Sequence, residues 1–573
     1  HHILKLQHCS RSPKQHRCLQ ERRRHPPSLR LHQHLLRSQE LPHPRRIKLK
    51  HMHTIGIIIV SLSIFVFTFG LQEKINYFCI NNNYIAMKLS KLEITNFRCF
   101  TKYHIEFAPQ VTIIIGRNGA GKTTLINAIH KALSFIFAND KSFGNDFLSA
   151  GNPSLKVNSF EIGDYHIDSS TRIVADNANI YAEATYGNHL LSWEIYKRSV
   201  AGASLYTSKY KNAFLEFMDI WKNRGEDLPL LSFYSDSFPH RNLKETKYAL
   251  DTILLENIPR NFGYYQWDVE GACTSIWEYR FNNKLAQMIP LYTPAARIAS
   301  RIYELETTNP LSQDKAVEAE LESLKIEQAR ITANITPLHE ETSYVANRLQ
   351  KFISGLPSLM GDGYDIDYFT PKQSENGYQL NIVFKNGKSI PMQDLPAGYK
   401  RLYSIVFDMA YRSYILNGNS EPKGIVMIDE VDLHLHPSLE QSVIKSLCDT
   451  FPNIQFIVST HSASVISSIN TSSFDDNDKV VNRIIFMLEG QTEADSLPNI
   501  YGLDYNAVLR DFMGTPSRDI EVKRLMDEYL TFYSLGLNTE ADSTMNKILN
   551  LLNGDDNHPI IKELKSKRKV YDI

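Results

Sequence analysis

Three short stretches of this 573-residue sequence carry side chains suited to work on a phosphate. Gly116-Arg117-Asn118-Gly119-Ala120-Gly121-Lys122-Thr123 fits the pattern GxxxxGK[ST] in full. Backbone N–H groups of such a loop cradle phosphate oxygens, and the N-terminus of the helix that follows adds positive potential. In that pattern Lys122 reaches the β- and γ-phosphates, the Thr123 hydroxyl ligates Mg2+, and Thr124 carries the binding run into the helix. GIVMIDE, at 424–430, is an apolar run that ends in two acids. A strand stopping beside the loop would deliver Asp429 to the Mg2+ shell and leave Glu430 to polarise an attacking water. FIVST, at 456–460, ends at His461, whose neutral imidazole can hydrogen-bond the γ-phosphate or that water. His434 and His436 have no companion ligands in the sequence and read as loop residues rather than a metal pair. The chemistry expected is ATP hydrolysis with Mg2+.

Those side chains require a strand, a loop and a helix in that order. VTIII (111–115) is a continuous apolar run leading into the loop, and Leu125, Ile129, Leu133 and Ile136 follow at helical spacing over 122–137. The pattern predicts an α/β fold built on a P-loop. KLSKLEITNF (88–97) and YHIEF (103–107) read as strands that precede it. Hairpin-like strands within 164–198 predict an inserted β-rich or mixed lobe over 164–299, with PLLSFY (229–234) as a buried strand. Residues 300–356 are charged and helical, with a heptad through Leu321, Leu324, Ile331, Ile335, Leu338, Val345, Leu349, Phe352 and Leu356. Gln328 and Thr342 interrupt it, which favours a helical hairpin packed on its own domain, and Pro337 is expected to kink or split the helix. YQLNIVFKNGKSIPM (378–392) predicts two strands joined at Asn386-Gly387 by a type I′ turn. A helix over about 398–416 then precedes the strand at 424–428. The predicted organisation is a first ATPase half at 87–163, the lobe at 164–299, a helical insertion at 300–356, a second ATPase half at 357–489 and a helical unit at 490–573.

The formal net charge of zero hides an asymmetry. Residues 1–53 carry 13 Lys/Arg against Glu21 and Glu40, whereas 87–573 carry 49 basic and 60 acidic residues. A body this acidic lacks the overall charge of a nucleic-acid coat protein, though a local basic groove is compatible with it. The six cysteines form no CxxC pair, which argues against a disulfide framework and fits a reducing, cytoplasmic location. The uncharged stretch 54–72 has the length of a membrane span behind a basic leader. That orientation would place an ATP-binding body outside the cell, so the expectation is that 1–86 is non-native upstream translation, that Met87 opens the working protein, and that no membrane is involved.

The motifs ITNFRCF (94–100), GRNGAGKT, DLPAGYKR (394–401), IDEVDLHLHP (428–437) and STHS (459–462), in that order, resemble the ABC-type ATPase heads of the RecF, SMC and Rad50 class. The resemblance implies an ABC-type P-loop head that works as at least a dimer, two heads enclosing ATP. A signature loop from one head then caps the nucleotide on the other, here Leu395-Pro396-Ala397-Gly398 with Lys400. Pro396 stands where the class has Ser, so the hydroxyl that reaches the γ-phosphate is absent; the Gly398 N–H or Lys400 would take its place, with slow hydrolysis expected. No match to the Q-loop glutamine of transporters is found.

Within the class, NFRCF, LPAGYKR, GIVMIDEVDLHLHPSLEQ, FPNIQFIVSTHS and YGLDYNAVLRDFMG (501–514) are similar to the PtuA-like ATPases of Septu and retron-linked phage defence. That similarity implies an ATPase that assembles with and regulates an HNH nuclease partner (PtuB-like), with a retron reverse transcriptase and its RNA/DNA product as further partners. The chain has no HNH-like Cys/His cluster of its own. Two alternatives stand beside this: a RecF-like repair ATPase that binds DNA directly, and an ATP-binding scaffold with little hydrolysis. IIFMLEGQTE (484–493) imitates the start of a Toprim nuclease domain at Glu489, but no later strand ending in DxD follows it. The helices after 490, with Val522, Leu525, Met526 and Tyr529 on one and Ile548, Leu549, Leu551 and Leu552 on another, are expected to dock a partner or to build the oligomer.

Overall fold

The computed structural model describes residues 87–571 apart from 144–146, 153, 201–203, 239–245, 268–273, 309–314, 358–365, 375–376, 474–479 and 516–517. The basic leader and the apolar stretch 54–72 lie outside the described residues. No described helix is long and apolar enough to cross a membrane.

The chain opens with an antiparallel pair, β1 (Lys88–Phe97) and β2 (Phe100–Glu106), and continues into β3 (Val111–Gly116). In β1 the buried residues are Leu89, Leu92, Ile94 and Phe97; a bulge between Leu89 and Lys91 shifts the alternation by one so that Leu89, Leu92 and Ile94 share the core face, and Asn96, at φ 54°, breaks the alternation again before Phe97. β3 is buried from Val111 to Ile115 because neighbours flank it on both sides, and its one polar side chain, Thr112, accepts from Ala108 N–H at 2.9 Å. α1 (Lys122–Leu133) follows the loop, and a 3-10 turn over Ser134–Phe137 completes the predicted helix.

β4 (Ala178–Tyr186) and β5 (His189–Lys197) form the hairpin predicted within 164–198, but they belong to no separate lobe: β4 pairs with β1, giving one antiparallel sheet of order β2-β1-β4-β5. The reason is sterically plain. The buried face of β4 is Ala178, Ile180, Ala182, Ala184 and Tyr186, small enough for α1 to lie close, and Trp193 on β5 donates its indole N–H to the Ala132 carbonyl at 2.8 Å. α2 (Lys211–Lys222) precedes β6 (Leu230–Tyr234), the predicted buried strand.

Two long helices come next, α3 (Thr274–Thr308) and α4 (Lys315–Ser354). They pair within the chain, with Ile331, Val345, Leu349 and Phe352 of the heptad buried, so the hairpin reading describes them better than an intermolecular coil. Arg280 of α3 grips Glu341 of α4 through two hydrogen bonds, of 2.5 and 2.7 Å, with both side chains buried. α4 is not split at Pro337, which lies exposed inside a continuous helix.

A three-stranded sheet follows, β7 (Ile366–Ser374), β8 (Gly377–Phe384) and β9 (Ser389–Pro391). Its β8–β9 turn is not type I′. Only Gly387 has positive φ, at 79°, and its N–H donates to the Phe384 carbonyl while Phe384 N–H donates to Lys388, the pattern of a three-residue loop with a glycine bulge.

α5 (Ala397–Asn417), β10 (Lys423–Ile428), α6 (Pro437–Thr450), β11 (Asn453–Ser459), β12 (Asn482–Met487) and β13 (Asp495–Ser496) complete the head. The central sheet has the order β13-β12-β3-β11-β10-β6, and all its strands except β13 run parallel. The Toprim-like run is thus β12, a strand of the head's own sheet, paired with the P-loop strand. Gln455, buried on β11, bonds the backbone of Leu89 and Ala108 and joins the two sheets.

Beyond the head, α7 (Ile520–Ser534), α8 (Asn538–Leu551) and α9 (Pro559–Tyr571) form a small bundle with its own core of Leu525, Met526, Tyr529, Ile548, Ile561 and Leu564. The apolar stripes expected to face a partner therefore face each other, although Leu551 is exposed.

Candidate active site

Five parallel strands place their C-terminal ends along one edge, and the loops leaving that edge meet. The loop 116–121 leaves β3, and the run Asp429–Glu430 leaves β10, with β11 and its following residues Thr460 and His461 between them. Gly121 stands at φ 100° immediately before α1; a Cβ there would lie 2.8 Å from Phe100 and 2.9 Å from Cys99 of the β1–β2 turn. Glycine is therefore required both for the turn and for the approach of that neighbouring loop.

The loop and the acids are joined directly. Thr123 donates its hydroxyl to one Asp429 oxygen at 2.8 Å, and Ser459 donates to the other. Lys122 sends its ammonium back over the loop to the carbonyls of Gly116 (3.0 Å) and Arg117 (3.3 Å). Burial holds the Lys122 pKa below its ordinary value, opposed by the charges of Asp429, Glu430 and Asp432. A hydroxyl and a carboxylate within one hydrogen bond of each other suit Mg2+, which takes few protein ligands and fills its sphere from phosphate and water. No group of three or more His, Cys, Asp or Glu suited to a metal occurs among the described residues, so His434 and His436 fall outside any such cluster.

Glu430 adopts φ 50°, a left-handed conformation costly for a residue with a Cβ. Its N–H donates to Ser459 Oγ at 2.8 Å, and its carbonyl accepts from Arg401 at 2.9 Å and from Leu433 N–H at 3.0 Å, which together hold it there. Arg401 is fully buried and also donates to the carbonyls of Asp429 (2.8 Å) and Ser235 (3.2 Å). Burial pulls its pKa down, while the carboxylates of Asp432, Glu430, Asp429 and Asp236 oppose the shift. His461 is fixed at its backbone by Asp432, which also accepts from Thr460 at 2.6 Å. Arg401, Asp432 and Ser459 are the positioning residues that motif reading passed over. All three lie within quoted motifs, but nothing in their spacing shows which atoms they meet.

The loop residues 116–124, Asp429, Glu430 and His461 thus share one edge. The signature residues do not join them through any hydrogen bond among the described residues. Leu395 is buried, Pro396 and Ala397 are exposed, and Lys400 donates to the Gln393 carbonyl at 3.2 Å. Gly398 is buried against the loop after β10; a Cβ there would stand 2.5 Å from the His434 carbonyl oxygen. Behind it, Arg412 pairs with Asp408 on α5, Tyr234 and Trp277 both donate to Asp408 at 2.7 Å, and the signature helix is thereby fastened to β6 and α3.

A parallel α/β sheet, a full phosphate loop and an acid-ended strand beside it define an ABC-type P-loop ATPase head. The chain belongs to the family described as AAA ATPase domain, which it matches over residues 87–466. It is 28% identical over 425 residues to the Retron Vc95 probable ATPase of Vibrio cholerae serotype O1 biovar El Tor, covering 71% of this chain and 75% of that protein. It is 23% identical over 475 residues to the Retron Ec83 probable ATPase of Escherichia coli, covering 77% of this chain and 79% of that protein. A shorter match, 26% over 161 residues, links it to the Septu protein PtuA of Bacillus mycoides (strain KBAB4), covering 27% of this chain and 21% of that protein. Its relatives are thus ATPases of retron and Septu type.

Proposed function

We propose that this protein is an ATP-hydrolysing head that assembles as at least a dimer and regulates an HNH nuclease partner in anti-phage defence. The observation that carries the ATPase part is the Thr123–Asp429 hydrogen bond, which joins loop and strand across 306 residues of sequence. Residues 116–124 cradle the phosphates through backbone N–H groups, and Lys122 turns from its loop carbonyls to the β- and γ-phosphates. Thr123 and Asp429 are the groups that hold Mg2+, which when bound neutralises charge on the phosphate oxygens. Glu430 polarises the attacking water from its fixed backbone, and His461 donates to the γ-phosphate or that water. The first turn of α5 has no side-chain cap and begins at the exposed Ala397, so its first backbone N–H can meet a phosphate held by another head, a substitute for the missing serine hydroxyl.

The nuclease partner and the retron link rest on the similarity to retron and Septu ATPases over 71% and 77% of the chain for the two retron proteins. Calorimetric titration with ATP and Mg2+ tests the site. Lys122→Ala should abolish tight binding, and unchanged affinity would overturn the assignment. Glu430→Gln should bind ATP yet turn over roughly 100-fold more slowly or worse; wild-type turnover would remove Glu430 from the mechanism.

A further inference from the structure

The edge of the sheet carries a cavity of about 370 Å³, within the size range of small-molecule sites. One side is Gly116–Asn118 of the loop together with His461; the other is Phe486, Met513 and Thr515. Met513 and Thr515 lie beyond the family domain, which ends at residue 466. Their position is built rather than incidental. Gly502 N–H donates to the Ser467 carbonyl at 2.9 Å, and Val508 is fully buried in the head core. The chain then makes a π turn over Val508–Phe512, closed by Met513 N–H donating to Val508 at 3.1 Å and followed by Thr515 N–H donating to Leu509 at 2.9 Å. Such turns are rare and recur at functional sites. The Arg117 side chain of the loop reaches this turn: a Cβ on Gly514 would stand 3.3 Å from its guanidinium.

We propose that Met513–Thr515 forms a wall of the nucleotide site at its γ-phosphate end, so that discrimination of ATP from ADP depends on a segment outside the family domain. The proposal rests on the ATPase reading, because the γ-phosphate end is identified by His461. The Thr515 hydroxyl supplies a donor for a terminal phosphate oxygen, and Met513 shields that oxygen from water. ADP, which lacks the terminal phosphate, leaves this wall without a partner.

The test uses the full chain carrying Glu430→Gln, titrated separately with ATP and with ADP in Mg2+. Thr515→Val combined with Met513→Ala should weaken ATP binding about tenfold, the scale of one lost hydrogen bond to a charged group, with ADP affinity within a factor of two of the parent. Thr515→Ser alone should keep the parent's preference for ATP, since the hydroxyl is retained. Thr515 is exposed and Met513 is half-buried against the head core, so the Tm of the double variant is measured beside the titration and Thr515→Val alone, which spares the core, should show the same selective loss of ATP affinity. If ATP and ADP affinities both stay unchanged, or fall together, the wall does not read the γ-phosphate and the proposal is overturned. A parent that binds neither nucleotide would instead overturn the ATPase reading itself.

Discussion

At the scale of single residues, the site depends on one arginine that no catalytic pattern singles out. Arg401 donates to three main-chain carbonyls, those of Ser235, Asp429 and Glu430, from a fully buried position. Its removal takes the donor from the buried Asp429 carbonyl, at about 1–3 kcal/mol by ordinary measure, while the Ser235 and Glu430 carbonyls keep the N–H groups of Phe238 and Leu433. It also frees Glu430 to relax from φ 50°. Arg401→Met should therefore lower the Tm and depress kcat for ATP hydrolysis at least tenfold, while KM changes little because the phosphate loop is untouched. A purely structural role would lower Tm alone. If steady-state kinetics show kcat unchanged in the folded variant, Arg401 does not position Glu430. The same scale explains Gly398: it is kept small by the His434 carbonyl, so its glycine serves the packing of α5 against the loop after β10 whatever it does for a second head.

At the scale of elements, the continuous helix α4 carries a proline in its exposed interior. Pro337 can make no N–H bond to the preceding turn, yet the pairing with α3 keeps the helix whole, with Ile331 and Val345 buried on either side of it along the chain. Pro337→Ala should stabilise the protein. The helix gain of about 3 kcal/mol, less about 1 kcal/mol for the freer unfolded chain, leaves roughly 2 kcal/mol. Scanning calorimetry checks it, and an unchanged or lower Tm would show that the turn at 337 is already relaxed by tertiary contacts. The buried strands β3, β10 and β11 are legible as short apolar runs, and α4 as a heptad. The turn at Asn386-Gly387 was misread because the sequence pair suits two loop types, and only the φ angles separate them. The partnership of β4 with β1 was hidden because a hairpin's own alternation does not say which third strand it joins.

At the scale of the whole molecule, the region after residue 490 divides in two. Residues 500–513 pack into the head core through Ile500, Val508, Leu509 and Phe512, whereas α7 to α9 build a separate core. The bundle displays Ile520, Leu535, Leu537 and Leu551 on its surface. Deletion of 518–573 should therefore keep ATP affinity within a factor of two while abolishing capture of the proposed nuclease partner, read by co-purification of the two proteins. Deletion from 501 would also strip Val508 from the head and confound the result. A 518–573 deletion that still captures the nuclease would move docking to another surface of the head.

What the sequence determined alone is the chemistry carried by contiguous residues: the phosphate loop, the acid pair Asp429-Glu430 and the histidine after β11. Each is readable because a phosphate cradle or a strand-end carboxylate needs only a few consecutive residues in the right local geometry. What tertiary structure decided is which distant groups meet. Thr123 and Asp429 are 306 positions apart, Arg401 reaches carbonyls just past the ends of β6 and β10, and the wall at Met513–Thr515 arrives from outside the family domain. The physical reason is that a side chain's role there is set by approach through space, through burial, backbone contacts and strand order, and chain spacing alone carries no record of that approach.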